Sequence, residues 1–226
     1  MQQKKDQILK VKGAITVAAA ILAVWAFGAS VKAVIISPGQ SNVSTNGETA
    51  PAFGAPLDNT GEVPFEATDI FSNEVFAGDL DTTVYADPST GDLDFVYQFS
   101  NTFDGDAILH FSASSFAGFT TDADYVTGTG TDPADAPTSV TRNPDTGGST
   151  LDYSFPSGVA YGTDSAELIV KTNAPISAFT QSGTASFQDG GSVSITAPGT
   201  VPEPTTAAIA GLALLSLGMR RRAVSR

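Results

Sequence analysis

Thr82-Thr-Val-Tyr-Ala86, Asp87-Pro-Ser-Thr-Gly-Asp92 and Leu93-Asp-Phe-Val-Tyr-Gln-Phe99 follow one another without a break, and their reading decides the fold class. The first stretch is β-branched and aromatic, which favours a pleated strand. The second is turn chemistry, with Pro88 presetting φ and Gly91 free to take a left-handed conformation. The third alternates with period two. Leu93, Phe95, Tyr97 and Phe99 fall on one face, and Asp94, Val96 and Gln98 on the other. The three together predict an antiparallel hairpin.

Working outward, the same grammar recurs at short spacing. Further strands are expected at 107–112, 139–142, 150–155, 167–171, 185–187 and 192–196. Asp104-Gly105, Asn143-Pro-Asp-Thr-Gly-Gly148 and Asp189-Gly-Gly191 punctuate them as turns. No useful helical period appears outside the termini. Many short strands with Gly, Pro and Asp between them predict an all-β fold over residues 64–200, an antiparallel β-sandwich, with a small barrel as the other option. Residues 34–63 do not alternate and carry Pro38, Pro51 and Pro56, so they read as an irregular leader, part of which could be an edge strand.

The 226-residue chain has a formal charge of −13, but the charges are segregated. Lys4, Lys5, Lys10, Lys12 and Lys32 precede the body, and Arg220, Arg221, Arg222 and Arg226 follow it. Between Val34 and Thr200 only Arg142 and Lys171 are basic, against 22 acids, a formal charge of −20. Phosphate binding needs clustered Lys and Arg, so nucleic acid is excluded as a partner. There is no cysteine, so packing or bound cations must stabilise the domain without disulfides.

Both ends carry apolar runs flanked by positive charge. Gly13 to Ala29 follows a basic start and has the make-up of a signal-peptide core. Val31 and Ala33 are small residues placed for cleavage before Val34, with Ser30 marking a second candidate site. Residues 1–33 are therefore expected to be a signal peptide that directs the chain to the Sec translocon; the alternative is an uncleaved anchor. At the other end, Val201-Pro-Glu-Pro-Thr-Thr206 precedes the apolar run Ala207–Met219 and then Arg220–Arg222. Pro202 and Pro204 fix φ and withhold two donors, leaving an extended segment that a processing enzyme can grip. The apolar run is somewhat short of the ~20 residues that span hydrocarbon comfortably. The arginines belong on the cytoplasmic side, which puts the acidic body outside. A signal helix and a C-terminal hydrophobic helix thus frame the sandwich.

Pro202-Glu203-Pro204, the hydrophobic stretch and the cluster Arg220, Arg221, Arg222 together resemble the PEP-CTERM sorting domain. The resemblance covers about Val201 to Arg222; the Ala-Val-Ser-Arg extension after the arginines is a small departure, and the sorting segment as a whole is taken as 201–226. It implies processing by exosortase, a membrane-embedded cysteine protease, in bacteria that make extracellular polysaccharide. The alternative is a plain tail anchor. More loosely, residues 82–125 resemble extracellular domains found with this signal, without bringing an activity.

Catalytic chemistry is sparse. Nucleophilic catalysis needs an activated Ser, Cys or Thr beside a base. His110 is the only histidine, and it sits within a strand. Carboxylates are plentiful: Asp79/Asp81, Asp92/Asp94, Asp104/Asp106 and Asp122/Asp124 are each spaced i, i+2. Most read as solvated surface. The candidate calcium turn is Asp104-Gly105-Asp106, since oxygen-only ligands suit calcium; otherwise no cofactor is expected. Phe116 and Phe119 could stack sugars, though phenylalanine more often fills a core. The expectation is a non-enzymatic surface or matrix protein that joins the extracellular polymer layer or binds glycan. Its alternatives are a carboxylate-based glycan hydrolase, which a cleft shared by two acids would favour, and a subunit that self-associates through sheet edges.

Overall fold

The computed structural model describes residues 34–144 and 147–198. The signal segment, with Val31 and Ala33, and the C-terminal segment, with Pro202, Glu203, Pro204 and Arg220–Arg222, lie outside the described residues. Their two expected helices are therefore not addressed. Among the described residues no helix is long and apolar enough to cross a membrane.

Among the described residues thirteen strands form two antiparallel sheets. The first is ordered β1(Ile35–Ile36), β8(Thr121–Tyr125), β11(Leu168–Pro175), β6(Asp92–Phe99), β5(Glu74–Ala86) and β3(Pro56–Asn59), with β4(Val63–Thr68) also on β5. The second runs β13(Ser192–Pro198), β12(Phe179–Phe187), β7(Ile108–Ala113), β10(Leu151–Val159), β9(Ser139–Arg142) and β2(Val43–Ser44). The chain passes between sheets after β1, β2, β6, β7, β8, β10 and β11, so many strands adjacent in sequence lie in opposite sheets.

The predicted hairpin is β5–β6, in register from Leu80↔Phe99 to Ala86↔Leu93. Its turn is held by the Asp87 carboxylate, which accepts from the Ser89 and Thr90 amides. Leu93, Phe95, Tyr97 and Phe99 all face inward and are buried. One hydrophobic cluster joins both sheets, as a sandwich requires. Phe99 of the first sheet packs 5.6 Å from Phe111, 5.5 Å from Phe155 and 5.4 Å from Phe187, all of the second. Phe65 stacks on Phe187 at 3.9 Å. Phe116 and Phe119 are buried in the core.

Several elements exceed the expectation. β5 begins at Glu74, eight residues before the predicted start, because its first half pairs with β4. Pro64 is tolerated in β4 because that strand pairs on one side only. β8, Thr-Asp-Ala-Asp-Tyr, was not expected as a strand at all. Within the leader, β3 pairs with the end of β5. Thr196 of β13 donates to Asp58 of β3, tying the two sheets along one side.

Candidate functional site

Alternation aims Asp94 of β6, Lys171 of β11 and Asp122 of β8 at the outer face of the first sheet, and register sets them side by side. Lys171 is directly opposite Asp94 on one flank and Asp122 on the other. The leader crosses above them. Glu48 reaches down to Lys171 with 2.5 Å between carboxylate and ammonium. Next to it, Asp124 Oδ1 accepts from the amides of Asn46 and Gly47 at 3.2 and 3.0 Å. The Glu48 amide donates to the Tyr125 carbonyl, and Thr127 donates back to the Glu48 carbonyl. Further along, Phe53 stacks on Tyr85 of β5 at 4.3 Å. Residues 46–53 thus form a strap over the sheet, anchored at β8, β11 and β5.

The strap requires a glycine at 47. Its φ is +69°, and a Cβ there would come within 2.5 Å of Thr127 and 2.7 Å of the Tyr125 ring. Beneath the strap the charges are desolvated. Glu48 is 7% exposed and Asp94 is 4% exposed. Burial pushes the Asp94 carboxyl up to about 7, the charge of Asp87 adding to it and Lys171 opposing. Burial likewise raises Asp122 to about 6, with Lys171 opposing and the charges of Glu48 and Asp124 adding. Glu48 Oε1 and Asp122 Oδ1 are buried without a hydrogen-bond partner.

The other base of the body, Arg142, sits on the inner side, 1% exposed. Its Nε donates to the Gly148 carbonyl, Nη1 to the Ile36 carbonyl and the Thr121 hydroxyl, and Nη2 to the carbonyls of Phe116 and Phe119. All five guanidinium donors are filled by uncharged acceptors. It clamps the first strand, the 116–119 turn and the 148 loop together.

The remaining candidates lie apart. Asp104 and Asp106 are exposed on the loop between β6 and β7. Among the described residues no three His, Cys, Asp or Glu side chains gather closely enough to hold a metal ion. His110 points outward from β7, 3.7 Å from Asp152 of β10. Asp79 and Asp81 share a cleft of about 170 Å³ with Glu62 and Asp164. The outer face of the second sheet is different again. Thr141, Asp152, Ser112, Ser186 and Ser192 pair in turn across five strands, a row of short polar side chains.

Residues 200–222 match the family model described as the PEP-CTERM protein-sorting motif. The C-terminal segment is a PEP-CTERM sorting signal. It marks an exported protein that is held at the membrane and then processed by exosortase. No curated protein and no solved structure matches the chain. The acidic sandwich, ending at Pro198, stands immediately before the PEP-CTERM motif.

Sequence reasoning did not find the strap. Its partners are distant along the chain: Glu48 and Lys171 are 123 residues apart. One signal was available. With only two bases among 22 acids, carboxylates far outnumber their possible partners, so an ion pair at Lys171 was to be looked for.

Proposed function

We propose that this chain is a non-enzymatic surface or matrix protein, secreted through the Sec translocon and associated with extracellular polysaccharide after exosortase cuts near Pro202-Glu203-Pro204. The observation that carries this reading is the PEP-CTERM motif at residues 200–222, directly after a folded β-domain. The row of four hydroxyls and one carboxylate on the second sheet supports polymer contact. Strands about 4.8 Å apart repeat short donors and acceptors across a pleated surface, which suits a hydroxyl-rich chain lying across it. The acidic body disfavours anionic polymers, so the partner class is a neutral glycan.

The cleft holding Asp79, Asp81, Glu62 and Asp164 is only about 170 Å³, below the ~300 Å³ at which ligand pockets begin. The adjoining groove lined by Glu66, Asp79, Thr102 and Ser192 is about 470 Å³, so the carboxylate-hydrolase alternative is decided by an activity assay on neutral glycans and not by cleft size. No metal is assigned a role in this reading; Asp104 and Asp106 alone offer too few ligands for calcium.

Mass spectrometry of the extracellular protein tests the sorting step. A new C-terminus close to Val201 is expected, and an intact Arg226 in that fraction rejects processing. Replacing Pro202, Glu203 and Pro204 by alanine should leave the chain in the membrane fraction. A screen of the secreted form against neutral glycans tests the association. Retention should be lost on Ser112→Glu with Ser186→Glu, and absence of any retained glycan removes the polysaccharide from the reading.

A further inference from the structure

The strap meets the sheet through a set of groups with too many acids and too few donors. Glu48 comes from the strap, Lys171 from β11, Asp94 from β6, and Asp122 and Asp124 from β8. Asp87 acts on Asp94 from the hairpin turn. The Tyr85 and Tyr125 phenols flank the cluster at either end of the strap. Lys171 is the single cation.

Asp124 spends one oxygen on three amides, those of Asn46, Gly47 and Tyr125, and so needs no counter-ion. The other three carboxylates depend on one ammonium. When all are ionised, two negative charges are left without compensation in a layer where Glu48 and Asp94 are buried and Asp122 and Lys171 are partly buried, so solvent screens them only in part while the strap is down. The two orphaned oxygens, on Glu48 and Asp122, show the same shortage in hydrogen bonds. A proton on a carboxyl removes one charge and supplies one donor, relieving both deficits at once.

We propose that residues 46–53 are a pH-operated flap, closed over the first sheet when the Lys171 cluster holds protons and lifted when it loses them. The working range follows from the environment. Asp94 is raised to about 7 and Asp122 to about 6, against the ordinary carboxylate value of 3.8 that both regain once the flap opens to water. The closed form therefore binds more protons than the open form. Closure is favoured on the acid side and weakens as pH rises through this range. In the row beside the cluster on the same face, Asp124, Ile169, Val96 and Thr83 stand opposite one another, and Ile169 and Val96 are 0% and 8% exposed, so lifting a strap anchored at Asp124 would uncover an apolar pair there. The open flap thus presents an apolar strip within an acidic surface, and alkalinity becomes a signal that changes what the face can bind.

Hydrogen exchange on the full-length chain in detergent tests this, with every amide rate divided by its intrinsic rate at that pH. The amides of Asn46, Gly47 and Glu48 should lose protection by at least about tenfold between about pH 5 and about pH 8. Amides of β6 and β11 should stay protected over the same range. Asp94→Asn combined with Asp122→Asn should keep the flap protected at the upper pH. Protection that is flat with pH in the wild-type chain overturns the proposal. So does an unchanged transition in the double variant, or a loss that strikes the strap and the sheet strands together.

Discussion

Arg142 and Lys171 are the only bases of the folded body, and the molecule treats them in opposite ways. Arg142 lies inside the sandwich, among four carbonyls and a hydroxyl, with every donor matched. Lys171 lies on the outer side of the first sheet among carboxylates that outnumber it. The guanidinium fork fits fixed dipoles, and nothing around it titrates near neutrality. The ammonium is a point charge, and its neighbours gain or lose protons with the medium. One site is a permanent rivet; the other is a condition-dependent catch. A buried cation is a structural constant only when dipoles, and not acids, neutralise it.

The largest expected effect comes from breaking the rivet. Arg142→Met removes five buried hydrogen bonds, leaving the Gly148 and Phe119 carbonyls without that donor while the Phe116 carbonyl keeps the Phe119 amide and the Ile36 carbonyl keeps the Thr121 hydroxyl, and should cost about 3 kcal/mol or more in denaturant unfolding. The loss should be equal at acid and alkaline pH. A cost under about 1 kcal/mol would mean that the clamp is ornamental. Lys171→Met comes next, at roughly 2–3 kcal/mol when measured near pH 8 and markedly less near pH 5, where protonated carboxyls need no counter-charge. An equal loss at both pH values would erase the distinction between the two cations.

Tyr97→Phe sharpens the contrast from the uncharged side. The Tyr97 hydroxyl is fully buried in the core and has no hydrogen-bond partner. Its removal should be neutral or stabilising by up to about 1 kcal/mol, whereas both cation variants destabilise. The smallest effect is expected from an external cation. Millimolar calcium should move the melting temperature by less than about 1 °C, because Asp104 and Asp106 offer too few ligands. A rise of several degrees that Asp104→Asn abolishes would restore the calcium turn.

The architecture could be read from residues whose neighbours are close in sequence. The hairpin 82–99 shows its strands, its turn and its inward face locally, and the later strands repeat that pattern. β4 and the first half of β5 escaped because Pro64 breaks the expected pattern, while the pairing that rescues it is an edge pairing visible only in three dimensions. β8 escaped for a chemical reason. Asp has poor strand propensity, yet Asp122 and Asp124 are held there by Lys171 and by strap amides contributed from far along the chain. The same blindness affected the charge reading. Treating the acids as solvated surface suits Asp104 and Asp106, but not Glu48, Asp94 or Asp124, which are buried. Composition counts charges; only the fold says which of them lose their water.

Concealing both bases has a practical consequence outside the cell. Trypsin-like proteases cut after Lys or Arg and need that residue's side chain in a deep acidic pocket. Across residues 34–198 their only targets are Arg142, sealed in the core, and Lys171, engaged under the strap in a strand paired on both sides. With one base in the core and the other ion-paired in a strand hydrogen-bonded on both sides, the folded domain offers trypsin-like enzymes no extended Lys or Arg segment, without any disulfide.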